Sequence, residues 1–317
     1  MKYAVLFPGQ GSQAVGMLAQ LAAVEPVVDE TFRAASAVLG YDVLKLVREG
    51  PEDRLNLTQY TQPALLAAGI AVWRVWCARG LPPPAALAGH SLGEYSALVA
   101  AESIGFEAAL KLVALRGELM QNAVPPGEGA MAAILGLSDA EVEKICAAYR
   151  DAVENPGVLE PANYNAPGQV VVAGHRAALN WLQAEAPRLG IRKLVPIAMS
   201  VPSHCSLMRE AAARLAQALM EVEVKMPKLP VLHNLDARPR SSPEEIRDAL
   251  IGQLHHSVRW AQTVRTLSAS GVQAFFECGP GRVLTNLNKR ILEAGHFVAL
   301  EEPDGMAKAA ALLRDSV

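Results

Sequence analysis

The chain has 317 residues, 51% of them hydrophobic, which is enough to bury a large core in one big domain or a large domain with a small one. A formal charge of −3 gives no global field for nucleic acid or an anionic membrane surface. The longest apolar stretch, residues 64–72, is too short to span a bilayer and the run 3–7 too short for a secretion signal, so a soluble, cytoplasmic protein is expected.

Residues 3–7 form a buried-strand pattern that breaks into the turn Pro8-Gly9-Gln10-Gly11-Ser12-Gln13. Without a Walker lysine or a full Gly-x-Gly-x-x-Gly, this reads as an ordinary βα turn rather than a phosphate loop. Residues 27–47 read as a helix interrupted at Gly40, 50–53 as a turn, and Pro63, after the turn residues Thr61 and Gln62, as the start of a helix over 64–79. Prolines 82–84 are a stiff connector, 85–88 a short buried strand, and 92–101 a helix with apolar residues at helical spacing. Between that strand and helix lies Gly89-His90-Ser91-Leu92-Gly93. Such a Gly-x-Ser-x-Gly elbow holds a hydroxyl clear at a strand tip, beside the free N–H groups and positive dipole of a helix N-terminus. By itself the motif is short enough to arise by chance.

A helix over 106–123 carries Arg116, which in isolation reads as a solvated or salt-bridged arginine. After Pro125-Pro126 come a strand over 130–135, a helix over 138–149 with the capping-box pair Ser138 and Glu141, a strand over 169–173, a helix over 176–189 and a strand over 191–198. This β-α-β-α-β run, placed at 125–196, resembles a ferredoxin-like unit inserted into a main domain of 1–124 and 197–317. The loop Ser200-Val201-Pro202-Ser203-His204-Cys205 then leads into a helix over 206–221. A strand over 229–234, a helix from Pro243, a strand over 272–277 and a basic helix over 282–292 follow. The alternation predicts an α/β protein whose first and last thirds share one mostly parallel sheet.

A nucleophilic serine needs a base, and there are seven histidines. His90 adjoins Ser91 and should point away from it; His175, His233, His255, His256 and His296 have no distinctive setting; His204 sits in a proline-marked loop. A hydrolase triad would place an acid between the serine and the histidine, and none before His204 has a convincing setting. Cys77, Cys146, Cys205 and Cys278 lie far apart with no Cys-x-x-Cys pair, which suits reduced packing thiols and no metal site.

Taken together, loop 7–13, elbow 89–95, Arg116-Gly117-Glu118-Leu119-Met120-Gln121, Val201-Pro202-Ser203-His204 and Gly279-Pro280-Gly281 resemble the acyltransferase family. The nearest likeness is to its discrete bacterial malonyl-CoA:acyl carrier protein transacylases, in their order and spacing over residues 7–290. The resemblance implies an α/β-hydrolase-like core with a ferredoxin-like insert. It implies Ser91 as nucleophile, His204 as base, and the backbone carbonyl of Gln253 orienting the imidazole. It implies an oxyanion hole from the N–H groups of Gln10 and Leu92, and Arg116 as a bidentate receptor for the malonyl carboxylate, a geometry lysine does not reproduce. Gln62 and Asn165 match positions near the site. The implied reaction is ping-pong transfer of malonyl from malonyl-CoA, through malonyl-Ser91, to the phosphopantetheine thiol of acyl carrier protein in fatty acid synthesis. It needs no metal or redox cofactor, and a monomer is expected. A hydrolase is the alternative, since the same elbow cleaves thioesters if water reaches the acyl-serine. A non-catalytic docking module would leave Ser91, His204 and Arg116 unexplained together. Because such carriers are acidic, Arg188, Arg192, Lys193, Lys289 and Arg290 are candidate docking charges, although each also reads as an ordinary solvated charge.

Overall fold

The computed structural model describes residues 1–197 and 201–314; Ala198, at the end of the predicted strand 191–198, and Ser200, at the head of the predicted loop, lie outside the described residues. Strand β1 (Tyr3–Phe7) is buried along its whole length and forms the centre of a five-stranded sheet. Its side chains alternate between two cores, Tyr3, Val5 and Phe7 on one face and Ala4 and Leu6 on the other, as a strand covered on both sides requires.

Five helices follow before β2 (Ala86–Gly89): α1 (Ala19–Ala22), α2 (Val27–Leu39), α3 (Val43–Glu49), α4 (Glu52–Leu55) and α5 (Thr58–Cys77). The predicted helix 27–47 is two helices. Gly40 ends α2 in a left-handed conformation, φ 74°, and the Asp42 carboxylate accepts from Lys45 N–H at 2.8 Å to open α3. The predicted turn 50–53 gives way to α4. Helix α5 starts five residues before Pro63, so Gln62 is helical and not in a turn. A proline in the second turn forfeits one backbone donor, and near-complete burial of the following residues outweighs that loss.

The elbow leads into α6 (Gly93–Ala100), and α7 (Phe106–Gln121) packs along α5. The small unit then runs β3 (Gly129–Leu135), α8 (Asp139–Ala152), β4 (Leu159–Ala166), β5 (Gln169–His175), α9 (Arg176–Glu185) and β6 (Lys193–Pro196), with an antiparallel sheet ordered β4-β5-β3-β6. Ser138 and Glu141 cap α8 reciprocally, as predicted. Strand β4 is an addition to the predicted run. Its sequence, Leu-Glu-Pro-Ala-Asn-Tyr-Asn-Ala, is poor in strand formers, and its register with β5 shifts around Pro161 and again after Tyr164. It is held from outside the small unit as well, where Tyr164 N–H donates to Val258 O and Val258 N–H to Ala162 O, both at 2.9 Å.

The chain returns through a 3-10 turn (Ser206–Met208), α10 (Arg209–Met220), β7 (Val231–Leu232), α11 (Pro243–Gln253), α12 (Trp260–Ala269), β8 (Ala274–Glu277), α13 (Val283–Ile291), β9 (His296–Ala299) and α14 (Pro303–Arg314). The large sheet is ordered β7-β2-β1-β8-β9 with every pair parallel, so the first and last thirds of the chain do share it. The architecture is mixed α/β, one parallel and one antiparallel sheet. Among the described residues no helix is long and apolar enough to cross a membrane.

The elbow glycines are explained by contact. A Cβ on Gly93 would lie 2.0 Å from Phe7 O, and one on Gly89 would lie 1.8 Å from the Gly93 carbonyl carbon. The start of α6 therefore rests directly on the tip of β1. Gly93→Ala should cost about 3 kcal/mol or more, against about 1 kcal/mol for the cap substitution Ser138→Ala, when both are compared by denaturant unfolding.

Candidate active site

Ser91 sits between β2 and α6 with φ 50°, a left-handed conformation that costs a serine about 1–3 kcal/mol. Three hydrogen bonds hold it there. Its N–H donates to Asn234 Oδ1 at 2.7 Å, its carbonyl accepts from Gln253 Nε2 at 3.0 Å, and Asn234 Nδ2 donates to Gly89 O at 2.7 Å. One asparagine thus ties both ends of the turn.

His204 is left-handed too, φ 62°, with its N–H on Leu254 O at 3.0 Å. Its Nε2 lies 2.7 Å from Ser91 Oγ and its Nδ1 2.7 Å from Gln253 O. A carbonyl can only accept, so Nδ1 carries the hydrogen and Nε2 is free to take the serine proton. The carbonyl occupies the place where a triad would use an acid. Burial, and secondarily the Arg116 cation, hold the imidazole down at about 3, which keeps it neutral around pH 7.

Arg116, on α7, is 1% exposed. Its Nη1 donates to Gln62 Oε1 at 2.7 Å, and its Nη2 to Gln253 Oε1 at 2.9 Å and Ser91 Oγ at 3.2 Å. The guanidinium also lies 5.4 Å from the Tyr95 ring centre. Among the described residues it makes no ion pair and its Nε has no partner, so neither a solvated nor a salt-bridged arginine describes it. Burial pushes its pKa down, the signature of a cation kept from water without a direct counter-ion.

Gln10, Ser91, Leu92, Arg116, Asn165 and His204 line one cavity of about 140 Å³, walled by Met120, Met131, Ile197 and Leu287. A short acyl group fits that volume. Gln10 follows β1 and is seated by its side chain on Thr58 Oγ1 at 3.2 Å; Leu92 is the residue before α6. Gln62 and Gln253 stand behind the lining, holding Arg116 and His204. His90 turns away from Ser91 and bonds Asn165 Oδ1 at 2.8 Å through Nε2, as an elbow neighbour should.

Sequence reasoning missed Glu94, His233 and Asn234. Far from lacking a distinctive setting, His233 is buried with Nδ1 2.7 Å from Glu94 Oε1, while Glu94 Oε2 accepts from Asn234 N–H and Gln253 Nε2, each at 2.9 Å. The one available signal was Glu94 following the elbow glycine; Asn234 is 143 residues from Ser91 and carries none.

Helix α13 lines the cavity with Val283, Leu284 and Leu287 and leaves Lys289 and Arg290 exposed, Arg290 reaching Gln169 on β5. Arg192 and Lys193 are exposed at β6, whereas Arg188 is paired with Glu185 at 2.5 Å. All four cysteines are free, Cys77 exposed and the others buried, and among the described residues no cluster of three or more His, Cys, Asp or Glu could hold a metal ion.

A model of the acyl transferase domain family matches residues 5–310. The malonyl CoA-acyl carrier protein transacylase of Escherichia coli (strain K12) is 49% identical over 308 residues, 97% of this chain and 98% of that protein. The malonyl CoA-acyl carrier protein transacylase of Coxiella burnetii superposes with a TM-score of 0.95 at 46% identity, covering 99% of this chain and 98% of that one. A malonyl-transacylase solved in complex with its type II polyketide acyl-carrier protein superposes with a TM-score of 0.95 at 47% identity, covering 98% and 100%.

The depression of His204 has a sign for stability. The unfolded chain takes up the histidine proton near 6.5 and the folded chain only near 3, so this contribution is complete above pH 6.5 and is lost as pH falls towards 3. In an NMR titration Arg116→Gln should move the His204 midpoint upward; an unmoved midpoint would remove the Arg116 charge as a cause and leave the depression chiefly to burial.

Proposed function

The chain belongs to the acyl transferase family and is an acyltransferase; from that premise we propose that it transfers malonyl from malonyl-CoA to the phosphopantetheine thiol of an acyl carrier protein. The observation that carries the reading is Arg116, a buried guanidinium whose donors meet, among the described residues, only neutral oxygens, and which lies 3.2 Å from Ser91 Oγ. An acyl carbon on Oγ would bring a carboxylate two bonds further along within bidentate reach of that guanidinium.

The first half-reaction begins with His204 Nε2 removing the Ser91 proton as Oγ attacks the thioester carbonyl. The oxyanion is drawn to the N–H groups of Gln10 and Leu92, which preorganised backbone meets without rearrangement. Collapse expels the CoA thiolate, which recovers the proton from His204, and leaves malonyl-Ser91. The carrier thiol then gives its proton to His204, attacks the ester carbonyl and restores Ser91. Donor and acceptor end in the same kind of thiol arm, so one cavity serves both steps in ping-pong order. Both halves balance with the two thiols alone, and the reading therefore calls on no metal or redox cofactor. Gln62 and Gln253 position Arg116 and His204; Asn165 holds His90 at the cavity wall.

The same reading includes fatty acid synthesis as the pathway and a monomeric, cytoplasmic protein. The parallel sheet and its elbow are read as an α/β-hydrolase-like core, and the β-α-β-β-α-β small unit, ordered β4-β5-β3-β6, as ferredoxin-like. The carrier protein is placed at the rim where α13 meets the small unit, with Lys289, Arg290, Arg192 and Lys193 facing its acidic surface and Arg188 less available because of Glu185.

Intact-protein mass spectrometry after mixing with malonyl-CoA should show one malonyl adduct on the wild type and none on Ser91→Ala; equal loading of the two would sink the reading. Arg116→Ala should lower kcat/KM for malonyl-CoA about a hundredfold while acetyl loading changes less than about tenfold. Rapid, burst-free turnover of malonyl-CoA without carrier protein would indicate a hydrolase instead. Charge reversal at Lys289 and Arg290 should raise the apparent KM for carrier protein about tenfold at low salt, and an unchanged value would remove this rim as the docking site.

A further inference from the structure

Gln253 supports the elbow through two separate groups. Its backbone carbonyl takes His204 Nδ1, and its side-chain amide, fully buried, lies between the Arg116 cation and the Glu94 carboxylate. Oε1 accepts from Arg116 Nη2 at 2.9 Å, while Nε2 donates to Glu94 Oε2 at 2.9 Å and to Ser91 O at 3.0 Å. The amide orientation follows from chemistry: a guanidinium only donates, and a carboxylate or carbonyl only accepts. Glu94, 0% exposed, cannot swing toward Arg116, because His233 Nδ1 holds Oε1 at 2.7 Å and Asn234 N–H holds Oε2 at 2.9 Å. Two opposite charges that deep burial would ordinarily press together are therefore held one amide apart. Gln62 repeats the pattern on the other side, offering Arg116 Nη1 a neutral oxygen at 2.7 Å.

We propose that this spacing sets acyl specificity: Glu94 and the Gln253 amide are positioning residues that keep every oxygen on Arg116 neutral, so the guanidinium meets the substrate with no ionic partner of its own. The inference rests on Arg116 being the receptor for the acyl carboxylate. A protein carboxylate in direct contact would be a tethered competitor, and an incoming acid would have to displace it from a site with little water to take up the released charge. With amide oxygens in place, an acidic acyl group exchanges neutral acceptors for a charged one and gains. A neutral acyl group brings nothing to compensate the buried cation. Glu94 still favours the charged guanidinium through space, opposing the effect of burial, without occupying its donors.

The test uses the full-length protein and compares kcat/KM for acyl loading from malonyl-CoA and from acetyl-CoA, a ratio that does not depend on the fraction of active enzyme. Gln62→Glu places a carboxylate on Arg116 Nη1 without touching the elbow. Glu94→Gln combined with Gln253→Glu moves the carboxylate from one end of the amide contact to the other at constant charge. Each should lower the malonyl-to-acetyl ratio about tenfold or more, with the loss falling more heavily on malonyl-CoA than on acetyl-CoA. A ratio unchanged from wild type in Gln62→Glu overturns the proposal, and so does an equal fall on both substrates, which would make these residues supports of the fold only. Arg116→Ala, run in parallel, separates the two readings. If it leaves the ratio intact, the carboxylate-receptor reading fails; if it collapses the ratio and the carboxylate-placing variants do not, the spacing inference alone fails.

Discussion

Ser91 can keep a left-handed backbone because the turn that contains it is closed from both sides. Below, the backbone of Gly93 lies on the carbonyl of Phe7, with no space for a side chain between them. Above, Asn234 and Gln253 take up the polar groups that a strained turn leaves without helical or sheet partners. The strain is of the order of 1–3 kcal/mol, which a few buried hydrogen bonds of about 1 kcal/mol each can balance. Everything chemical at the site is measured from that fixed hydroxyl: His204 at 2.7 Å on one side and Arg116 at 3.2 Å on the other.

Burial then does opposite things to the two cationic side chains. It holds His204 neutral, which suits a proton acceptor, and the Arg116 charge adds to the effect. It leaves Arg116 a cation with amide oxygens for company, because guanidinium has no neutral form within reach of ordinary pH. A carbonyl behind the histidine and amides behind the arginine are the same solution used twice. In both cases neutral dipoles orient the charged or proton-accepting group, and in the proposed reading the Arg116 charge is left for the substrate.

The elbow strand and helix, the central strand 3–7, the Ser138 cap and the parallel sheet shared by the first and last thirds of the chain were legible because each is written locally, in glycine spacing, apolar runs or a capping pair. Helix α5 was read five residues short because proline is a strong local start signal, and only the packing of α5 against its neighbours overrides it. Strand β4 was missed because proline and asparagine suppress the strand pattern, while its pairing with β5 and Val258 is long-range. The terminal pair β9 and α14 was passed over as well; β9 is a short edge strand, paired on one side and mostly short of full burial.

From the sequence alone came the candidate nucleophile, the order of the motifs and, through the resemblance they carry, the family and the residues proposed for its site. Arg116 was visible as a residue but not as a buried cation bonded to amide oxygens, since nothing near it in the chain tells whether a carboxylate or an amide faces it. The roles of His233, Asn234 and, apart from its place after the elbow glycine, Glu94 were hidden for the same reason: their meaning lies in contacts between residues 139 to 140 positions apart. Local chemistry is written in neighbouring letters, whereas the electrostatic state of a buried group depends on what the fold brings within 3 Å of it, and that was decided only by the tertiary structure.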